Sequence, residues 1–385
     1  MMDSVHLHFA LLLAITLCSL TLSAQHRFLS QISAPPSLAP SSPLPVFSVL
    51  SYGAVGDGVA DDTQSFKMAW DAACQADDPA LILIPRHYSF MIQSAIFSGP
   101  CRNRLTFQGV NGTTLPGPCD SPVALRLFWS SNLIVKGIKI KNSPQFHFRY
   151  SCHHVHIDSL YIKAPSSSPN TDGIHVENTN NVNIYNSVIA NGDDCVSIGA
   201  GTFNVDIRNI TCGPGHGISI GSLGPRNTRA CVTNVTVRDS VIKHSDNGVR
   251  IKTWQGGYGM VSEVSYSNIV MESVRNPIMI DQYYCSGMSC ANKTAGVYIS
   301  GVSYRGIKGT YDVRSPAMHL ACSDLVPCTN LTVMDVELLP AQGQRMLDPY
   351  CWNAYGAVAD FTIPPLFCLI QGNPLTLPET EVDRC

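Results

Sequence analysis

The pentapeptide Asp172-Gly-Ile-His-Val176 returns in altered form as Asp194-Cys-Val-Ser-Ile198, His216-Gly-Ile-Ser-Ile220, Asn247-Gly-Val-Arg-Ile251 and Asn276-Pro-Ile-Met-Ile280. Its leading residues are spaced 22, 22, 31 and 29 positions apart. Each copy ends in a short alternating strand rich in β-branched residues. A repeat near 22 residues built on such strands predicts the coils of a parallel β-helix, each stacking its strand on the one before. Equivalent positions then share one face, about 4.8 Å apart. Two carboxylates and an imidazole, Asp172, Asp194 and His216, are thereby gathered into a candidate chemical site.

A second strand opens each unit: Val155/Ile157, Val182/Ile184, Val205/Ile207, Val235/Val237 and Val264/Tyr266. From the opening valine to the leading residue of the pentapeptide the count is 12, 11, 12 and 12 in the last four units. In the first it is 17, because Ala164 to Pro169 is inserted ahead of Asp172, a predicted loop. Four places after the opening valine stand Asn186, Asn209, Asp239 and Asn268, which suit a turn or an inward amide ladder. Asn132 to Phe148 reads as an earlier coil, and Val302 to Leu320 and Leu331 to Leu339 as later ones. Upstream, Asp61, Asp62 and Thr63 precede Phe66, Trp70 and Ala73. They predict a capped amphipathic helix whose apolar face plugs the N-terminal end of the solenoid. Asp61 and Asp62 are read as helix caps rather than as a catalytic pair. Gly53, Gly56 and Gly58 lack the strand-turn-helix context of a nucleotide loop. The expected fold class is therefore all-β, a solenoid with a short capping helix.

Composition fits a large exported protein. At 14% charged, 45% hydrophobic and 29 glycines, 385 residues are ample for one long core. Phe9 to Leu22 is apolar and ends at Leu22-Ser-Ala24, so residues 1–24 are read as a signal peptide, despite an n-region with Asp3 and no Lys or Arg. Residues 25–45 are read as a Pro/Ser-rich linker and 46–385 as the β-helix domain. Of fifteen cysteines, Cys18 leaves with the signal, and the remaining even number permits a disulfide framework. Cys195/Cys212, Cys285/Cys290 and Cys322/Cys328 are the first pairs expected. No CxxC pair suggests zinc, and His153, His154 and His156 read as turn and surface residues. Sequons at Asn111, Asn209, Asn234, Asn292 and Asn330 point to a eukaryotic secretory route.

Asp193 adjoins Asp194, and Asp172 is one coil away, so three carboxyls crowd one patch. Like charges this close cannot all ionise easily, which leaves a protonated acid beside an ionised base. Glycoside hydrolysis uses that division of labour. Calcium binding by the same groups would want more oxygen ligands than the coils obviously supply, so no metal and no cofactor are expected. Arg250 and Lys252 alternate outward onto the same face. In a chain of net charge −3, a local cationic pair points to an anionic substrate such as a uronic acid polymer. His216, between Gly215 and Gly217, has room for a ligand or a special backbone angle.

Ser168–Val176 (SPNTDGIHV), Gly192–Gly199 (GDDCVSIG), Cys212–Gly224 (CGPGHGISIGSLG) and Gly248–Gly256 (GVRIKTWQG) resemble the active-site motifs of the polygalacturonases of glycoside hydrolase family 28, especially plant ones. Tyr52–Phe66 and Asn276–Cys285 look like the family too, so the resemblance spans about residues 46 to 385. It implies a right-handed parallel β-helix that hydrolyses the α-1,4 links of galacturonic acid in pectin with inversion. Asp193 would then be the general acid, Asp172 and Asp194 the pair activating water, and His216 a supporting residue. Arg250 and Lys252, with Asn170 and Asn247, would bind substrate, and Tyr304 or Tyr311 would supply a tyrosine near it. The expected partner is pectin or polygalacturonate, with no nucleic acid and no membrane once the signal is gone. The chain would act as a secreted, cell-wall monomer. Two other readings stay open: a pectate lyase, which shares the fold but needs calcium and a basic proton abstractor, and a wall-binding protein without turnover. Internal cleavage is favoured over attack from chain ends.

Overall fold

The computed structural model describes residues 44–109, 114–115, 123–286, 290, 292–293, 295–343, 345–374 and 385. The signal-peptide reading, the linker reading up to residue 43, the sequon at Asn111 and Cys119 lie outside them. Leu44–Cys385 is a compact unit in which one long sheet of parallel strands winds as a right-handed β-helix.

The repeat seen in sequence is the hydrogen-bonded register of this sheet. Ile174 pairs with Val196, Val196 with Ile218, Ile218 with Val249, and Val249 with Ile278. The row continues backward through Phe148 and Leu125 and forward to Met318. The opening strands stack likewise, Leu105 on Leu133 on Val155 and on through Val182, Val205, Val235, Val264 and Val302. A third row, not apparent in the sequence, runs Ile162, Ile189, Cys212, Ile242, Met271. All three rows send fully buried side chains into one continuous core. Each aliphatic residue so buried contributes roughly 1.5–3 kcal/mol.

The second and third rows meet at a sharp bend, which the Asn positions create. Asn186, Asn209, Asp239 and Asn268 all have φ near +50°, a left-handed conformation that Asn and Asp tolerate better than other residues with a Cβ. Their side chains form the expected ladder, with Asn209 Nδ2 donating to Asn186 Oδ1 and Asn268 Nδ2 to Asp239 Oδ1, both at 2.7 Å. The ladder stands on the outside of the molecule, not the inside. A left-handed residue at an outer corner turns its side chain to solvent, where the amide needs no buried partner. A second exposed ladder joins Asn234, Asn204 and Asn181.

The capping helix spans Thr63–Cys74 and buries Phe66, Ala69, Trp70 and Ala73. Phe66 and Trp70 meet Phe90, Phe97 and Phe107 at the first coils. The capping roles differ from expectation. Asp61 accepts from the Thr63 backbone N–H, whereas Asp62, 1% exposed, makes no cap hydrogen bond. Its carboxylate instead accepts from the backbone N–H groups of Val55 and Gly56, so the glycine loop cradles an internal carboxylate.

The expected bridges Cys195–Cys212, Cys285–Cys290 and Cys322–Cys328 are present, with Cys74–Cys101, Cys231–Cys385 and Cys351–Cys368. Cys152 is buried as a free thiol among the described residues. No helix among them is long and apolar enough to cross a membrane.

Candidate active site

Asp172, Asp193 and Asp194 wall one cleft of about 370 Å³, together with Asn170, His175 and Lys252. The stacking that placed Asp172 and Asp194 in one row also fixes their backbones. The carbonyl of Asp172 accepts from the backbone N–H of His147 at 2.8 Å and from its Nδ1–H at 3.1 Å. Burial pushes the His147 imidazole down to about 4, so it stays neutral, an assignment that also fits Nε2 accepting from Ser143 N. Asp194 is followed by Cys195, whose bridge to Cys212 ties it to the next coil. Gly217 has φ +84°, and a Cβ there would lie 2.2 Å from the Gly248 carbonyl oxygen. The glycine after His216 is thus demanded by backbone conformation and by contact with the next coil, not by room for a ligand.

The three carboxyls have different surroundings. Asp194, 1% exposed, accepts from Ser219 Oγ and Arg250 Nη2 on Oδ1, at 2.7 and 2.8 Å, and from Lys252 Nζ on Oδ2 at 2.8 Å. Asp172 is also buried, but its one side-chain hydrogen-bond partner among the described residues is Ser197 Oγ at 2.6 Å. Burial first, then the charges of Asp194 and Asp193, raise its carboxyl to about 8, so at neutral pH it keeps its proton. Burial also opposes ionisation of Asp193. The hydrogen bond and charge of His216, with the Asp194 N–H, outweigh it and hold this carboxyl below its ordinary value. His216 is raised in turn by its hydrogen bond to Asp193, Nδ1 to Oδ1 at 3.1 Å. Asn170 contributes through its backbone N–H, which donates to Asp193 Oδ2 at 3.1 Å.

Asp172, Asp193, Asp194, His216, Asn170, Arg250 and Lys252 are thus one connected group. Asn247 stands apart. It is buried, accepts from Asn276 Nδ2 at 3.2 Å, and is not a wall of the cleft. Tyr304 and Tyr311 do not approach the cleft, being fully buried core residues, with Tyr304 stacked on Tyr266. Inward positions of a strand cannot serve the outer face. The tyrosine at the cleft is Tyr284, whose ring lies 5.3 Å from Lys252 Nζ. Reasoning from sequence also missed Ser197, Ser219 and His175, although they occupy the same outward strand position as Arg250.

Ligand atoms of Asp193, Asp194 and His216 lie within 4.8 Å of one another, the spacing of a metal site. The donor chemistry does not fit one. Both oxygens of Asp194 are committed to cations, and Lys252 and Arg250 would face any ion bound there.

A family model described as glycosyl hydrolases family 28 matches residues 111–349. A probable polygalacturonase of Arabidopsis thaliana is 36% identical, over 92% of this chain and 92% of its own length. Polygalacturonase-2 of Solanum lycopersicum is 37% identical, over 83% and 80%. An endo-xylogalacturonan hydrolase of Aspergillus tubingensis shares the fold with a TM-score of 0.64 at 18% identity, covering 82% of this chain and 99% of that one. An exopolygalacturonase of Thermotoga maritima gives 0.59 at 16%, covering 81% and 91%. The chain belongs to glycoside hydrolase family 28.

Proposed function

We propose that this protein is a secreted polygalacturonase that hydrolyses α-1,4-galacturonosyl links of pectin in the cell wall, acting as a monomer through residues 46–385. The observation that carries the reading is the cleft itself. A protonated and an ionised carboxyl face one space, beside a third neutralised by Arg250 and Lys252. In the reading adopted, Asp193 protonates the leaving oxygen, drawing on the proton it shares with His216. Asp172 and Asp194 hold the attacking water. Asp194, bound by two cations, is a poor nucleophile, which favours direct attack by water and inversion over a covalent sugar intermediate. Arg250 and Lys252 bring positive charge to the substrate carboxylate while anchoring Asp194. A lyase would need a free basic group, and both cations here are committed.

Glu177 borders both this cleft and an adjoining hollow of about 350 Å³ that runs past Arg149 and Arg126 toward earlier coils. A groove continuing over several coils suits a polymer bound along its length, so internal cleavage is proposed. The experiment is chromatography of products from unesterified polygalacturonate with calcium removed. A ladder of saturated oligomers supports the reading. Monomer alone means attack from chain ends, an unsaturated ultraviolet-absorbing product means a lyase, and no product with binding retained means a wall-binding protein.

The proton on Asp172 favours a second reading in which Asp172 is the acid and Asp193 the base. A substrate with an activated aryl leaving group separates the two, because only the variant lacking the general acid keeps turning it over.

A further inference from the structure

A chain of polar groups leads away from Asp172 along the outward strand positions. Ser197 Oγ is 2.6 Å from Asp172 Oδ2. His175 Nδ1 is 2.7 Å from the same Oγ, and His175 Nε2 is 3.3 Å from Glu177 Oε2. Arg149 Nε donates to the other oxygen of Glu177 at 2.8 Å. The imidazole stacks on Phe146, ring centres 4.8 Å apart, and its side chain is 14% exposed. The charged and titratable groups facing this arm are Glu177, Arg149 and Asp172 itself, and the charges of Asp194, Asp193 and Lys252 act on Asp172.

A hydroxyl has one proton, so these contacts have two self-consistent settings. In one, Asp172 O–H donates to Ser197, Ser197 O–H donates to His175 Nδ1, and His175 Nε2–H donates to Glu177. The imidazole is then neutral. In the other, Ser197 donates to ionised Asp172, His175 Nδ1–H donates to Ser197, and Nε2–H still donates to Glu177. The imidazole is then a cation against the Glu177 carboxylate. The settings contain the same number of protons and interconvert by two short transfers through one hydroxyl.

We infer that Ser197, His175 and Glu177 form a proton-holding arm that takes the proton from Asp172 when this carboxyl serves as base. This rests on the assignment of Asp172 as base. The step balances: the Asp172 O–H bond breaks as a bond to Ser197 Oγ forms, and the former Ser197 proton ends on His175 Nδ1. Glu177, its carboxyl brought down to about 2 against the pull of burial by hydrogen bonds from His175 and Arg149, remains an anion to balance the imidazolium. Such an arm resolves a mismatch in the site. A carboxyl that holds its proton up to about 8 is a poor base in acidic medium unless the proton has somewhere to go. His175, Ser197 and Glu177 are positioning residues, acting through Asp172.

The test compares kcat against pH for the parent and for His175→Gln, Ser197→Ala and the double variant, with KM and melting temperature recorded. Glutamine keeps a donor for Ser197 but cannot store a proton. The acid limb of kcat is expected to move upward by about one pH unit, a roughly tenfold loss at low pH that recovers as pH rises. KM should be little changed, and the double variant no worse than Ser197→Ala. An unmoved acid limb in folded His175→Gln, or additive losses in the double variant, overturns the arm. If His175→Gln does not fold, Ser197→Ala alone decides by the same limb. Asp172→Asn distinguishes the failures. If it stays active on polygalacturonate, or turns over the aryl substrate, the assignment of Asp172 falls. If it is inactive on both while the limb stays put, the arm alone falls.

Discussion

Replacing Asp172 with asparagine should make the protein more stable, increasingly so as pH rises. In the fold its carboxyl titrates at about 8, against an ordinary value of 3.8. Between those values the native state binds a proton that the unfolded chain has released, so native stability falls as pH rises. Below 3.8 both states are protonated and nothing is lost, and above about 8 both are ionised and the loss is complete. A gap of about four units at 1.36 kcal/mol each corresponds to on the order of 5 kcal/mol. Asparagine fills the same volume, can still accept from Ser197 Oγ, and does not titrate. Denaturant unfolding of parent and Asp172→Asn, bridges intact, gives the difference at a series of pH values. It is expected to be small near pH 4 and to grow in favour of the variant by up to about 1.4 kcal/mol per unit toward pH 8. A difference flat with pH, or one favouring the parent more as pH rises, would mean that Asp172 is ionised in the native site, and the division of protons among the three acids would be wrong.

Asp193→Asn should keep polygalacturonate binding and lose roughly 10²–10⁴-fold in kcat, read as reducing-end release; equal release from variant and parent defeats its catalytic role. Lys252→Ala leaves Asp194 with one cation fewer at a buried position and should cost on the order of 3 kcal/mol of stability. Its affinity for polygalacturonate should weaken most when methyl esters are removed, and indifference to esterification would reject the carboxylate contact. Joint replacement of Cys195 and Cys212 by serine opens a short loop beside Asp194 and should cost about 3 kcal/mol in denaturant titration. Chelators should leave activity unchanged, whereas loss on chelation with recovery by calcium would favour lyase chemistry.

The rows Ile174 to Ile278 and Val155 to Val264 were legible because a stacked coil repeats its inward residues at fixed intervals, and those intervals survive insertions. The coils built on Ala80–Ile84 and Leu105–Gly109 were not, because a helix and irregular connections interrupt the count. The third row escaped because its inward members range from Ile to Cys and Met, with no fixed leading residue. At the site, charge and alternation identified Asp172, Asp194, Arg250 and Lys252. Which cation meets which acid depends on side-chain reach across two coils, and Arg250 and Lys252 converging on Asp194 has no signature in spacing. His175 and Ser197 were within the quoted repeat, but a neutral hydroxyl gives no hint of its importance until its neighbours are in place.

The helix Thr63–Cys74 closes one end of the stack with Phe66 and Trp70, and this confines change in length to the coils beyond it. Each added or deleted coil would move the outer face by one strand spacing, about 4.8 Å, while the sealed end and its aromatic plug stay as they are. The scaffold is in effect graduated, and family members could lengthen or shorten their polymer track by whole notches without rebuilding the chemistry at its centre.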